Sequence, residues 1–417
     1  MEQVDHGQLT SYRPKRIDRF EIQFSGEQGE QGLFTLKNVE CRTYLRLTES
    51  GRMLWDMLDG TRDVAALLNE CQRLGQPLSP ARLLAFLDLL ERKAMIQPAS
   101  KNTDDRASVA SLPRLLEKAL YREWPIKVGA LIEWLYRRLV WVFYTRPAII
   151  VLSALSIAGP LCFVAAMLWN AHATTIGPVG VLNAVILMVT NIVIVVLHES
   201  AHAFTCRHFE REVPRVGLML YYGSLCTFVD TSDIWMCSKE KRILTSAAGP
   251  ISSWVLGSLA SVFALSLPFP MANRILFQVA AWCFLASLFP LNPLMEFDGY
   301  YMLVDWLETP QLRRKALHFV TRQLFSRLRS HTPLTRRECA YLIYGLLALL
   351  FSTVSVLAPF YLVLNYSIRR WIAGSGILWT AVPVFAAMAL SLTSELIARI
   401  TNRTRKYNLS RTPEQEE

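Results

Sequence analysis

Long apolar runs separate the later part of the chain from its first hundred residues, where apolar and polar positions alternate over short distances. Each run is close to the 20 or so residues that a helix needs to cross a bilayer. The runs cover residues 148–168, 179–204, 243–267, 275–293, 340–364 and 377–398. This pattern predicts a polytopic α-helical membrane protein with about six transmembrane helices.

Residues 1–98 have the short alternating pattern of a small soluble α/β domain. Predicted strands lie at Ile17–Phe24, Leu33–Lys37 and Thr43–Leu47, and the last two form a hairpin. Three amphipathic helices should follow. Their predicted N-caps are Thr48, Thr61 and Ser79.

Residues 99–146 are predicted to join this domain to the membrane core. Residues 99–112 are a polar linker. Leu115–Tyr144 mixes aromatic and basic residues, which predicts an amphipathic helix at the membrane surface on anionic headgroups. A soluble helix packed on the first domain is the alternative.

Charge sets the predicted orientation. Hydrophobic residues make up 52% of the 417 positions, and the net charge is +10. The basic residues cluster beside the apolar runs, which indicates membrane topology and not nucleic-acid binding. Cytosolic segments of membrane proteins carry an excess of Lys and Arg, so both termini are predicted to be cytosolic. Arg369 and Arg370 fall on the wrong side, so the last two runs have a shallow hairpin as their alternative.

The cysteines and the N-terminus argue against a disulfide-bonded protein, a cysteine metal site and a cleaved signal peptide. The 8 cysteines form no CxxC pair, so neither a disulfide framework nor a cysteine metal site is expected. The N-terminus is polar and predicts no cleavable signal peptide.

The strongest chemical motif closes the second apolar run. His198-Glu199-Ser200-Ala201-His202 has the H-E-x-x-H spacing, which places both histidines on one helix face. Such a pair binds zinc, and Glu199 beside it is placed to take a proton from an attacking water. Two histidines with ordinary packing or surface roles are the alternative. Ionisable residues at membrane depth are costly, which favours a metal.

A third ligand is expected from the end of the fourth run. Glu296 and Asp298 are the first carboxylates after Ile243. Asp298 is favoured because Gly299 lets the backbone turn toward a metal, although Asp-Gly is also a common turn. Between these regions, Val216–Tyr222 predicts a re-entrant hairpin whose exposed edge pairs with an unwound substrate.

Part of the N-terminal domain resembles the PqqD-like peptide chaperones, which are small winged-helix modules. The likeness runs from Tyr44-Leu45-Arg46-Leu47-Thr48 through Leu58-Asp59-Gly60-Thr61 and covers most of residues 14–98. It implies that this domain binds a precursor or leader peptide along a strand edge. A cytosolic cap or an oligomerisation domain is the alternative.

The membrane core resembles the site-2 protease family of intramembrane zinc metalloproteases, in its bacterial peptide zinc metalloprotease branch. H-E-x-x-H, Gly249-Pro250, Asn292-Pro293 and Asp298-Gly299 carry the likeness over about residues 148–310. By this resemblance His198, His202 and Asp298 bind Zn²⁺, Glu199 is the general base, and Asn292, Gly249 and Pro250 contact substrate. Ser253 departs from the asparagine of many members.

These expectations combine into one function. Residues 147–310 would form an intramembrane zinc endopeptidase, and residues 311–417 a cytosolic connector, two further transmembrane helices and a basic tail. The substrate would be a peptide or membrane protein in the bacterial inner membrane, with export or peptide-modification proteins as further partners. A non-proteolytic peptide-binding or export component that keeps a zinc site is the alternative. A zinc transporter is disfavoured because the sequence has one metal motif.

Overall fold

A computed structural model describes most of the chain in two units. The described residues are 12–25, 33–76, 78–97, 122–169, 181–221, 224–267, 269–329 and 333–372. The first unit combines the N-terminal residues with Ser232–Lys241, and the second contains the remainder. The predicted sixth span, the linker 99–112 and the basic tail lie outside the described residues.

The first unit contains the predicted three-stranded sheet. Strands β1 (Phe20–Ser25), β2 (Leu33–Asn38) and β3 (Thr43–Leu47) are antiparallel in the order β1-β2-β3. Helices α1 (Glu49–Asp56), α2 (Val64–Arg73) and α3 (Pro80–Arg92) follow. The predicted α/β character of this region is therefore confirmed.

The helix caps are partly as predicted. The Thr48 side chain accepts a hydrogen bond from the Gly51 amide and caps α1. The predicted cap Thr61 is wrong, because Asp63 accepts from the Ala66 amide and caps α2. Ser79 is the N-cap residue of α3, where Pro80 opens the helix without a side-chain cap bond.

Large apolar side chains fill the core of this unit. Trp55 packs edge-on against Phe20 with 4.7 Å between the ring centroids. The other fully buried members include Leu36 of β2, Leu67 of α2, Leu83 and Leu90 of α3, and Met95 after α3.

A short 3₁₀ helix, Ser232–Met236, belongs to the first unit although it is distant in sequence. Asp233 on this helix is buried and pairs with Lys37 of β2 at 2.7 Å. The Tyr44 hydroxyl donates to the same carboxylate at 2.8 Å. Lys37 and Tyr44 face each other across β2 and β3, so the segment is fixed to one position on the sheet.

The second unit is mostly helical. Its helices are α4 (Gly129–Arg138), α5 (Arg146–Trp169), α6 (Val181–His208), α7 (Lys239–Ser266, whose first turn belongs to the first unit), α8 (Pro270–Leu288), α9 (Asp298–Trp306), α10 (Leu312–His318), α11 (Leu324–Arg329) and α12 (Arg336–Ile372).

Within the described part of the chain, five helices are long and apolar enough to cross a membrane. The stretches that meet this measure are Arg146–Leu168, Met188–His208, Lys239–Ser266, Met271–Leu288 and Arg336–Ser355. They correspond to the first five predicted runs, so the composition is that of a helical membrane protein.

The predicted helix over Leu115–Tyr144 needs correction. Its middle is strand β4 (Arg122–Lys127), which pairs antiparallel with β5 (Arg215–Tyr221). Helix α4 and a 3₁₀ turn at Val140–Tyr144 occupy the rest of the described part.

The predicted hairpin after α6 is present, because β5 also pairs with β6 (Ser224–Val229). The sheet order is β4-β5-β6. Strand β5 is therefore central, so the exposed edge predicted at Val216–Tyr222 is wrong and the edges of this sheet are β4 and β6.

Candidate metal centre

The last turns of α6 carry the H-E-x-x-H motif. Helix α6 runs without a break from Val181 to His208, so the apolar run and the motif lie on one continuous helix. His198 and His202 lie one turn apart on the same face, with 4.9 Å between their ring centroids. His202 is buried and His198 nearly so. Two imidazoles are thereby brought together inside the helical unit.

Asp298 begins α9 and faces both rings. Its carboxylate oxygens lie 3.0 Å from His198 Nε2 and 3.4 Å from His202 Nε2. The turn before α9 depends on Gly299, whose amide donates to the Pro290 carbonyl at 2.9 Å. A Cβ at Gly299 would overlap the Leu291 backbone, so the glycine predicted from sequence is sterically required.

These three side chains form a cluster that can hold a metal ion. Their ligand atoms all lie within 4.8 Å of one another. Two imidazole nitrogens and one carboxylate oxygen match the donor set of an open metal site, with one further position for substrate or water. The predicted choice of Asp298 over Glu296 agrees with this cluster.

The outer nitrogen of each imidazole is bound to protein. His202 Nδ1 donates to the Thr245 carbonyl at 2.7 Å, which fixes the orientation of the ring with Nε2 toward Asp298. His198 Nδ1 lies 3.3 Å from the Ser253 hydroxyl. Both Nε2 atoms therefore point at the Asp298 carboxylate with their orientation set by α7.

Helix α7 approaches the histidines closely because residue 249 is glycine. A Cβ at Gly249 would collide with Nε2 of both His198 and His202. The next residue, Pro250, is buried, and its carbonyl accepts from the Ser287 hydroxyl of α8 at 2.7 Å. Gly249 thus packs against the two histidines, and Pro250 joins the same part of α7 to α8. The substrate role implied for both residues by resemblance stays a prediction.

Glu199 lies beside the cluster and is not one of its three members. Its Oε1 accepts a hydrogen bond from the Thr227 hydroxyl of β6 at 3.3 Å. This contact links the side chain of the predicted base to the sheet edge at β6.

Asp298 carries the negative charge of the cluster. Burial alone would raise the pKa of this carboxyl, but the hydrogen bonds from His198 and His202 outweigh burial and lower it to about 2. Asp298 is therefore ionised at neutral pH, which suits a metal ligand.

Other acidic and polar candidates have different partners. Asn292 Oδ1 accepts from the Leu294 amide at 3.0 Å and stabilises its own turn. Its predicted role toward substrate stays a prediction. Asp230 pairs with Arg215 at 2.8 Å. Asp233 is buried in the first unit against Lys37.

Sequence reasoning missed several residues around the centre. The Thr245 carbonyl, the Thr227 hydroxyl and the contact of Ser253 with His198 were not predicted. Thr245, Gly249 and Ser253 are spaced as one face of α7. Thr245 and Ser253 each lie four residues from Gly249, so this helical spacing is the sequence signal that identifies them.

Comparison with family models, with curated proteins and with solved structures gave no match. The case for this site therefore depends on its geometry and on the motifs that produce it.

Proposed function

We propose that this protein is an intramembrane zinc endopeptidase of the site-2 protease type. The observation that carries the proposal is the meeting of His198, His202 and Asp298 at the end of an apolar helix, with Glu199 next to the first histidine. A site that only binds metal has no need of that glutamate.

His198 Nε2, His202 Nε2 and one Asp298 oxygen would hold the ion. When bound, zinc polarises a carbonyl group and acidifies water. The same donors also bind ferrous iron. Glu199 favours hydrolysis, because a carboxylate beside the ligands is the general base of zinc peptidases.

Glu199 would take one proton from the attacking water and deliver it to the nitrogen of the leaving amine. The water oxygen forms the new bond to the carbonyl carbon as the C–N bond breaks, so the products are a carboxylate and an amine. The Thr227 hydroxyl would keep the Glu199 side chain directed toward the sheet.

The substrate would bind as an extended strand. A helical peptide shields its carbonyl groups within its own hydrogen bonds, so cleavage requires unwinding. Strand β6 is an edge of its sheet and carries Thr227, whose hydroxyl contacts Glu199. Pairing along β6 would bring an unwound peptide beside the base.

The first unit would capture a peptide and supply it for cleavage. Its sheet has two edge strands, β1 and β3, that an extended peptide can join. The basic residues next to the apolar helices favour cytosolic termini, and the setting would be the bacterial inner membrane. Its partners would be a peptide or membrane-protein substrate, the bilayer, and proteins of peptide modification or export.

The decisive experiment compares the native chain with Glu199→Gln in cells. This substitution should keep zinc bound and remove the base, so at least a hundredfold loss of cleavage is expected. Mass spectrometry of membrane and secreted peptides measures it, followed by capture of peptides that remain on the variant. Glu210→Gln, at an exposed position in the turn after α6, is the matched control.

A peptide that is cut by the native chain and Glu210→Gln, but retained on Glu199→Gln, supports the protease. Identical peptide profiles with the same peptide bound by all three chains would refute it. That second result favours a binding or export component.

A further inference from the structure

A buried ion pair joins the helix that carries the third metal ligand to the helix that orients the histidines. Arg242 Nε of α7 lies 2.8 Å from Asp305 Oδ1 of α9. The two side chains are 3% and 10% exposed, so both charges are almost completely removed from solvent. The mechanism above assigns no role to either residue.

The position of Arg242 on α7 connects it to the metal centre. Arg242, Thr245, Gly249 and Ser253 follow the spacing i, i+3, i+7 and i+11, which defines one helix face. Thr245 and Ser253 contact the outer nitrogens of the two histidines, and Gly249 packs against both rings. Arg242 extends this face by one turn.

Asp305 shares a face of α9 with the candidate ligand Asp298, as Arg242 shares a face of α7 with the residues that contact the histidines. Asp298 and Asp305 are seven residues apart, which is two turns on one face, or roughly 10 Å along the axis. Asp298 meets the histidines at one end of that face, and Asp305 meets Arg242 at the other. The two contacts together fix both the position and the rotation of α9.

The cost of burying this ion pair indicates that it fixes the helix positions and adds little stability. Desolvating two charges costs several kcal/mol per ion, and well-packed apolar replacements are often equally stable. A charged pair at this depth is therefore a poor way to gain stability. Its N–H···O geometry, however, permits only a narrow range of helix positions.

We propose that Arg242 and Asp305 are positioning residues of the metal centre. They hold α9 against α7 so that the Asp298 carboxylate stays within reach of both Nε2 atoms. This inference rests on the metal centre of the proposed function. It goes beyond that function by assigning the alignment of the third ligand to a pair outside the motif.

The test measures the affinity of the purified full chain for Zn²⁺ by competition with a chromophoric chelator. Arg242→Gln and Asp305→Asn are each expected to weaken binding about 10- to 100-fold, the usual effect of losing an outer-shell contact. Arg327→Gln, which breaks the more exposed pair with Glu338 in the same unit, is the control and should leave the affinity unchanged.

A double variant separates positioning from stability. Arg242→Met with Asp305→Leu removes both charges together, so it should fold with a thermal transition close to that of the native chain. Its zinc affinity should nevertheless stay about tenfold or more below the native value, because an apolar contact does not fix the rotation of α9.

Native affinity in the double variant, or in both single variants, would overturn the positioning role and leave the proposed function intact. A native chain that fails to bind Zn²⁺ would overturn both proposals. Weak affinity in all three variants, with normal affinity in Arg327→Gln, supports the inference.

Discussion

The first unit and helix α7 of the second unit bury opposite kinds of residue. In the first unit, Leu36, Leu67 and Leu90 are completely buried. In α7 of the second unit, the buried positions are small or polar, and apolar side chains such as Ile251 and Phe263 are exposed. Large apolar side chains therefore mark the inside of the first unit and the outer face of α7.

The difference follows from the surroundings of each unit. Water drives large apolar side chains into a core, whereas lipid is as apolar as leucine and provides no such force. Membrane helices associate through close packing of small residues and through polar contacts. The metal centre lies among such residues, since Gly249, Ser253 and Thr245 all face its histidines.

The largest expected effect comes from shortening a buried leucine in the first unit. Leu90→Ala should lower the free energy of unfolding by about 2–5 kcal/mol, because it removes apolar contacts and leaves a cavity. Denaturant unfolding of the full chain in detergent, followed by limited proteolysis of the N-terminal region, measures this. Leu89→Ala changes the neighbouring residue, which is 40% exposed, and should cost less than about 1 kcal/mol. Equal losses would contradict the core assignment.

Enlarging a small residue is the damaging change in the second unit. Gly249→Ala places a Cβ against both histidine rings, so the ligands must move apart. We expect zinc affinity to fall about 100-fold, which corresponds to about 2.7 kcal/mol. Chelator competition measures it.

Gly257→Ala is the matched control for this change, because its added Cβ meets Cys283 and Phe284 of α8 instead of the ligands. It should alter thermal stability and not metal affinity. Unchanged zinc binding in Gly249→Ala would refute the close approach of α7.

A smaller loss of stability is expected from a substitution at the contact between α5 and α7. A Cβ at Gly159 would overlap Ser258, so Gly159→Leu forces the two helices apart. Overpacking of this kind costs about 1–3 kcal/mol. The thermal transition in detergent should fall accordingly, and an unchanged transition would show that the contact does not stabilise the unit.

The smallest effect should come from the outer face of the same helix. Ile157 is 69% exposed, two residues before Gly159. Ile157→Ala should change stability by about 0.5 kcal/mol or less, since no packed neighbour is lost. A loss as large as that of Gly159→Leu would mean that another surface covers this face.

Local patterns predicted most of the elements, because they depend on periodicity and caps near in sequence. The strands of the first unit and the first five apolar helices were found in this way. The strand Arg122–Lys127 was missed because its partner, Arg215–Leu220, lies far along the chain. A segment with aromatic and basic residues fits an interfacial helix equally well until that pairing is known.

The three residues of the candidate metal centre could be predicted for a similar reason. His198 and His202 share a local spacing, and Asp298 follows from membrane depth and from the glycine after it. The Ser253 contact and the Arg242–Asp305 pair depend on which helix faces meet. The helical spacing outward from Gly249 marks the face of α7 that carries Ser253, but no local pattern in a single sequence shows which helix that face meets.

The ion pair between Lys37 and Asp233 also constrains how the chain is threaded through a bilayer. Residues in contact lie on one side of a membrane, so the chain between them crosses an even number of times. Among the described residues, two candidate spans lie there, Arg146–Leu168 and Met188–His208. A nascent chain that ends before Ser232 lacks the nearest carboxylate of Lys37. With both candidate spans in a membrane, the N-terminal unit would be completed during synthesis only after this pair of helices has entered it.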